Sequence, residues 1–393
     1  MAEPWLTVIG IGEDGMAGLS DASRAALDRA EIVFGGPRHL TLADAGKRGR
    51  AWPVPFSVEP VLAERGRRVA VLASGDPFWF GAGASLALHL EPGEWVAYPS
   101  PSTFSLAAAQ LGWRLEEVVC LGLHAAPFER LVPVLGAGRR AICLLRDGAA
   151  AGALAAWLTT QGYGASVLQV MEALGGPNER VRTVTAAGFD LGDVAAPVAV
   201  AAVMAGPSGL SRASGLADSH FAHDGQITKR PVRALTLSAL APRAGELLWD
   251  IGAGSGSVSV EWCLAGGRAM AIEARADRAV NIRANVRKFG LDHVLQVVEG
   301  KAPDALSGLS LPDAVFIGGG GNQALLEKLW ALLPAGTRLV VNGVTLETEM
   351  LLAQWHALHG GELLRIELAT AAPLGGMRGW SPARPVVQLS AVR

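Results

Sequence analysis

LLWDIGAGSGSVSVE, Leu247 to Glu261, decides the fold of the second half of the chain. An apolar strand ends in Asp250, Gly252, Gly254 and Gly256 follow, and a helix begins behind them. A strand, a glycine turn and a helix in that order bring backbone amides and a helix N-terminus to a ligand. A dinucleotide fingerprint, GxGxxG, would place its third glycine at 257. Here it comes one residue early, and Ser257 occupies the expected place. The next strand ends in Glu273, 21 residues after Gly252, where an acid can accept hydrogen bonds from ribose hydroxyls. On these residues alone, a tight structural turn remains the alternative to a cofactor loop.

Working outward, short apolar runs alternate with helical segments throughout, the α/β signature. Further strands are expected at 269–273, 295–299, 314–317 and 338–342, and two more near 362–369 and 385–392. In the first half they are expected at 6–11, 32–34, 69–73, 118–121, 141–145, 166–171 and 198–204. Between the halves lies GPSGLSRASGLADSHFAHDGQ, Gly206 to Gln226, with no apolar periodicity. The expected domains are therefore 1–208 and 227–393, joined by a linker at 209–226.

Composition narrows the function classes. Half of the 393 residues are hydrophobic and 18% are charged, which excludes disorder. Thirty-four basic and 36 acidic residues give a net charge of −2, so no general basic field suggests nucleic acid as a partner. Three scattered cysteines, Cys120, Cys143 and Cys263, form neither a disulfide framework nor a zinc motif, which suggests a reducing compartment, the cytoplasm. The start of the chain has no basic n-region. The uncharged stretches 148–171 and 194–211 are broken by polar residues, glycines or prolines, so no membrane span is expected. No metal site is expected either: the pairs His220/His223 and His356/His359 have ligand-like spacing but no third ligand nearby.

The first half contains a literal GxGxxG at Gly10, Gly12 and Gly15. Glu13 and Asp14 would put two negative charges where a pyrophosphate lies, so nicotinamide binding is rejected there. Farther on, a buried strand is followed by Ser74-Gly75-Asp76-Pro77, and later by PSPSTFSLAAAQLGW, Pro99 to Trp113. Asp76 before Pro77 also reads as a simple Asx-turn.

These motifs carry two resemblances. The GIGEDG loop, the SGDP turn and the PS turn, in this order, resemble the tetrapyrrole methylase family, over residues 5 to about 205. The resemblance implies a two-lobed α/β fold that holds S-adenosylmethionine between its lobes, with Gly10, Gly12, Gly75, Asp76, Pro77 and Ser102 at the cofactor. One departure is the loop Leu123-His124-Ala125-Ala126-Pro127, where the nearest relatives are expected to have His-Gly-Arg. The pattern around Gly252–Gly256 resembles the first motif of Rossmann-like methyltransferases. With ITKRPVR (227–233), KFG (288–290), EGKAPDAL (299–306) and AVFIGGGGN (314–322), it is similar to the decarboxylating methyltransferase domain of cobalamin biosynthesis. That resemblance implies a seven-stranded sheet closed by a reversed hairpin. It places Thr228, Gly252, Ala253, Gly254, Ser255, Gly256, Glu273 and Ala302 at a second S-adenosylmethionine.

A fusion of these families implies a bifunctional enzyme that methylates carbons 5 and 15 of a precorrin and decarboxylates its ring C acetate. One cofactor is expected per domain, and the chain is expected to be a homo-oligomer by analogy to relatives. The substrate's carboxylates call for cations. Lys229, Arg230, Arg233 and Arg378 are the candidates, with Gly319, Gly320 and Asn322 of the four-glycine loop for close backbone approach. Two other readings stay open: a nicotinamide-dependent oxidoreductase, and one active methyltransferase half with a non-catalytic partner domain.

Overall fold

A computed structural model describes residues 3–393. They divide into two units, residues 3–128 with 134–208, and Glu129–Pro133 with Gly209–Arg393.

The first unit has ten strands: β1 (Leu6–Ile11), β2 (Ile32–Gly35), β3 (Gly49–Ala51), β4 (Val69–Ser74), β5 (Trp95–Tyr98), β6 (Val118–Gly122), β7 (Arg140–Leu145), β8 (Val167–Glu172), β9 (Arg180–Thr185) and β10 (Val198–Val203). One sheet, in the order β3-β2-β4-β1-β5, is wholly parallel. The central β1 and β4 are almost continuously apolar because both faces of a parallel sheet are covered. The second sheet, β6-β7-β10-β8-β9, is antiparallel except for its β6–β7 pair. This is the expected two-lobed arrangement. Strands β3, β5 and β9 are additions to the sequence reading. They are short or only half-buried, so they lack the long apolar run that marks β1 and β4.

The second unit adds β11 (Leu247–Ile251), β12 (Arg268–Glu273), β13 (Leu295–Glu299), β14 (Ala314–Ile317), β15 (Arg338–Gly343), β16 (Glu362–Ile366), β17 (Ala369–Leu374), β18 (Met377–Pro382) and β19 (Val386–Val392). Its seven-stranded sheet runs β13-β12-β11-β14-β15-β19-β16. The first five strands are parallel, and β19 runs against both neighbours. The Rossmann-like sheet with a reversed strand is thus present. Between β16 and β19 the chain inserts an exposed hairpin, β17–β18, that pairs only with itself. The strand order reverses between β11 and β14, and there the crevice for a ligand opens.

Residues 209–226, expected as a linker, belong to the second unit. Leu216 and Phe221 are buried in its core, and the amides of Gly215 and Leu216 donate to the Glu261 carboxylate. The stretch has no periodicity because it is pinned by backbone hydrogen bonds rather than by an amphipathic face.

Candidate active sites

In the first unit, three separate loops meet at the carboxyl ends of β1, β4 and β5. The Ser100 hydroxyl donates to the Gly10 carbonyl (2.8 Å), the Ser100 amide donates to the Gly75 carbonyl (3.1 Å), and the Gly75 amide donates to the Ile11 carbonyl (3.1 Å). Only glycine fits at Gly10, where a Cβ would stand 1.8 Å from the Gly75 carbonyl oxygen. Gly75 has φ +55°, and its Cβ would stand 2.7 Å from the Pro101 carbonyl oxygen.

Beside this junction a cavity of about 710 Å³ opens between the two lobes of the unit. Gly12, Gly75 and Ser102 line it. Gly10, Asp76 and Pro77 do not; they build the loops behind it. Asp76 accepts the Phe78 amide (2.8 Å), which is the Asx-turn. Ser102 caps the helix Thr103–Leu111 by accepting the Ser105 amide. His124 also lines the cavity, so the altered 123–127 loop faces it.

Sequence reasoning missed the polar wall of this cavity, formed by Glu13, Arg38, His39 and Ser74. His39 Nε2 lies 2.8 Å from Ser74 Oγ, and Arg38 Nη2 lies 2.9 Å from both atoms. The Arg38 guanidinium pairs with Glu13. Burial first, then the Arg38 charge, pushes the His39 imidazole down to about 4. The available signal was Gly35-Gly36-Pro37-Arg38-His39, at the carboxyl end of a strand, where α/β ligands bind. Part of the lining is aromatic: Trp52, Phe56, Trp79 and Phe80. Phe80 holds φ +60°, a strained value for a bulky side chain, and packs against Phe104.

In the second unit, Gly252, Gly254 and Gly256 all have positive φ (+68°, +61° and +70°). A Cβ on Gly252 would stand 2.5 Å from the Gly319 carbonyl oxygen, so the loops after β11 and β14 touch at the switch point. Glu273, at the end of β12, accepts the Gly254 amide (2.8 Å) and the Arg275 amide (2.9 Å). One oxygen of Asp250 accepts both the amide and the hydroxyl of Ser259. Its other oxygen, and the Ser255 hydroxyl, are buried without partners. Burial pushes the Asp250 carboxyl up to about 6, and the Glu273 charge adds to the rise. Two partnerless polar atoms and two carboxylates around an open glycine loop fit a cationic, hydroxyl-bearing cofactor such as S-adenosylmethionine.

Thr228 is half-buried, and the Gln226 carbonyl beside it lies 3.7 Å from where a Gly254 Cβ would stand. Ala302 is partly buried against the core. Gly319 and Gly320 are exposed, with open space where a Cβ would be. Asn322 caps the helix Gln323–Leu332, accepting the Leu325 amide (3.0 Å), so its side-chain oxygen is engaged within the fold. Lys229 and Arg230 are exposed at the start of the helix Arg230–Leu240, and Arg378 is exposed on β18.

Arg233 corrects the sequence reading. It is fully buried and donates to Glu261, Asp218 and the carbonyls of Thr228 and Leu216. Buried in this way, it presents no donor to a substrate carboxylate. It lies on the inward face with Thr236, Leu237 and Leu240, and that spacing was the sign of burial.

Residues 6–190 match the family described as tetrapyrrole (corrin/porphyrin) methylases, and residues 219–393 match the precorrin methyltransferase domain. A Sinorhizobium sp. protein named precorrin-6Y C(5,15)-methyltransferase [decarboxylating] is 50% identical, over 99% of this chain and 97% of its own. A Pyrobaculum aerophilum protein named probable cobalt-precorrin-6B C(15)-methyltransferase (decarboxylating) is 34% identical, over 45% of this chain and 95% of its own. Among solved structures, the C-terminal domain of precorrin-6Y C5,15-methyltransferase from Rhodobacter capsulatus is 64% identical. It covers 47% of this chain and 100% of that one, with a TM-score of 0.46.

Proposed function

This chain belongs to the family of decarboxylating precorrin-6Y C(5,15)-methyltransferases, and we propose that its two units divide the reaction between them. It is a C-methyltransferase of cobalamin biosynthesis that takes its methyl groups from S-adenosylmethionine. In the proposed division, residues 1–208 methylate carbon 5 of a precorrin. Residues 227–393, with 209–226 packed under them, methylate carbon 15 and decarboxylate the ring C acetate, giving a precorrin-8 type product. Each unit binds its own cofactor.

One observation carries this division: each unit has a separate crevice cornered by glycines at the carboxyl ends of parallel strands. The Pyrobaculum protein, about half as long, supports placing the carbon 15 reaction in a single unit.

When bound, S-adenosylmethionine supplies a sulfonium methyl, reactive toward an electron-rich ring carbon. The protein's contribution is position and exclusion of water, which can lower such a barrier by several kcal/mol. In the second unit, Glu273 accepts ribose hydroxyls while its hold on Gly254 keeps the glycine loop open. Lys229, Arg230 and Arg378 offer exposed cations to the substrate's carboxylates. In the first unit, Gly12, Gly75 and Ser102 hold the cofactor side of the cavity, and the aromatic part of the lining faces the flat macrocycle.

The test is product analysis with Glu273→Gln in the full chain. At limiting S-adenosylmethionine the expected main product carries one new methyl group, at carbon 5, and keeps every carboxylate. Loss of both methyl groups overturns the division.

A further inference from the structure

Methylating an unsaturated ring carbon that bears hydrogen liberates a proton for each methyl group transferred. The C–CH3 bond forms as the methyl–sulfur bond breaks, leaving that electron pair on sulfur. The C–H bond then breaks, its pair returns to the ring π-system, and something must take the proton. Four titratable groups line the first unit's cavity: Glu13, Arg38, His39 and His124. Arg38 is always protonated, and Glu13 is paired with it.

The hydrogen-bond inventory fixes the state of His39. A guanidinium only donates, so with Arg38 Nη2 2.9 Å away, His39 Nε2 carries no hydrogen and keeps its single lone pair as an acceptor. The neutral ring therefore carries its proton on Nδ1, which is buried without a partner. Arg38 Nη2 also donates to Ser74 Oγ at 2.9 Å. With Arg38 donating to the serine oxygen, the single lone pair of Nε2 is left to the serine's own proton, 2.8 Å away. Ser74 is exposed on the cavity wall at the end of β4, and His39 sits behind it on the helix Pro37–Leu42. A hydroxyl aimed at the lone pair of a neutral imidazole is the arrangement of an activated serine.

We propose that Ser74 and His39 form the proton-accepting relay of the methyl transfer in the first unit, with Arg38 and Glu13 holding its tautomer. Ser74 Oγ takes the proton from the ring carbon as its own proton passes to His39 Nε2, and the hydroxyl is restored. The imidazolium, beside Arg38 in a half-buried setting, then loses its extra proton to solvent. The ring carbon is strongly acidic at that moment because the macrocycle has gained the positive charge of the methyl group, so a weak base suffices. Ser74 is the catalytic residue and His39 acts through it. The proposal rests on the reading that this unit methylates a ring carbon.

The test uses His39→Gln, Ser74→Ala and Ser74→Thr in the full chain, with a precorrin carrying deuterium at carbon 5. General base catalysis contributes about 10²- to 10⁴-fold, so the carbon 5 rate should fall by about 10²-fold or more in the Gln and Ala variants. The double variant should lose no more than either alone, because one relay is broken only once. A primary isotope effect should appear or grow in both, Ser74→Thr should retain much of the rate, and affinity for S-adenosylhomocysteine should be unchanged. An unchanged carbon 5 rate and isotope effect in His39→Gln or Ser74→Ala overturns the relay. So does a rate loss that merely tracks lost cofactor affinity. If the unaltered chain places no methyl group on carbon 5, or if Glu273→Gln abolishes that methylation, the underlying reading fails instead.

Discussion

Glu273 and Gly254 are 19 residues apart, yet the Glu273 carboxylate accepts the Gly254 amide at 2.8 Å. The acid that would bind a ribose is thus also the clamp that shapes the glycine loop. Glu273→Gln keeps the shape and loses the charge. A hydrogen bond to a charged group contributes about 1.5–3 kcal/mol, so affinity for S-adenosylhomocysteine at the second unit should fall by about 10- to 100-fold. Calorimetry on the variant checks this, and binding at the first unit should be untouched.

Asp250 should make stability depend on pH. Its carboxyl is pushed up to about 6, above the usual value of 3.8, because burial disfavours the charged form. A raised pKa gives stability that is fully present below the unfolded value, near 4, and is lost as pH rises through about 6. Asp250→Asn removes this dependence. Relative to the unaltered chain, the variant should gain on the order of 3 kcal/mol between pH 4 and pH 8. Urea unfolding at a series of pH values measures it, and a flat difference contradicts it.

Two glycines should be destabilised by alanine to very different degrees. Gly10→Ala drives a Cβ into the Gly75 carbonyl at 1.8 Å, backbone against backbone, with nothing able to yield cheaply. The first unit should fail to fold stably, with a loss above about 4 kcal/mol. Gly254→Ala meets only the Gln226 carbonyl, at 3.7 Å, so its cost is the left-handed backbone alone, about 1–2 kcal/mol. Hydrogen exchange resolved by unit distinguishes the two outcomes.

Arg233 should behave as a structural residue. Arg233→Met leaves Glu261 and Asp218 without their buried partner, and breaking such a pair costs about 3–5 kcal/mol. Denaturant unfolding of the second unit should show the loss. Any folded fraction should retain its affinity for precorrin, since no Arg233 donor faces a substrate.

Local patterns made most of the fold legible. The apolar run 247–251 and the acid ending β12 lie within one strand-turn-helix-strand unit, so spacing alone placed Glu273 beside the glycines. The three first-unit motifs were readable separately, and parallel pairing then brought Gly10, Gly75 and Ser100 into contact. The Ser74–His39 pair was not readable. Its members are 35 residues apart and meet only because β2 and β4 are neighbours in the sheet. The hairpin β17–β18 was also missed, because its residues are almost all exposed and carry no buried alternation. The basic residues of TKRPVR read together as cations for the substrate's carboxylates. In fact Lys229 and Arg230 face outward while Arg233 turns one helical turn later into the core.

Counting S-adenosylhomocysteine sites on the full chain by titration calorimetry tests the central claim most directly. Two sites per chain are predicted, of which Glu273→Gln weakens one. A single site that disappears in Glu273→Gln would contradict a catalytic first unit and leave it a scaffold for the second.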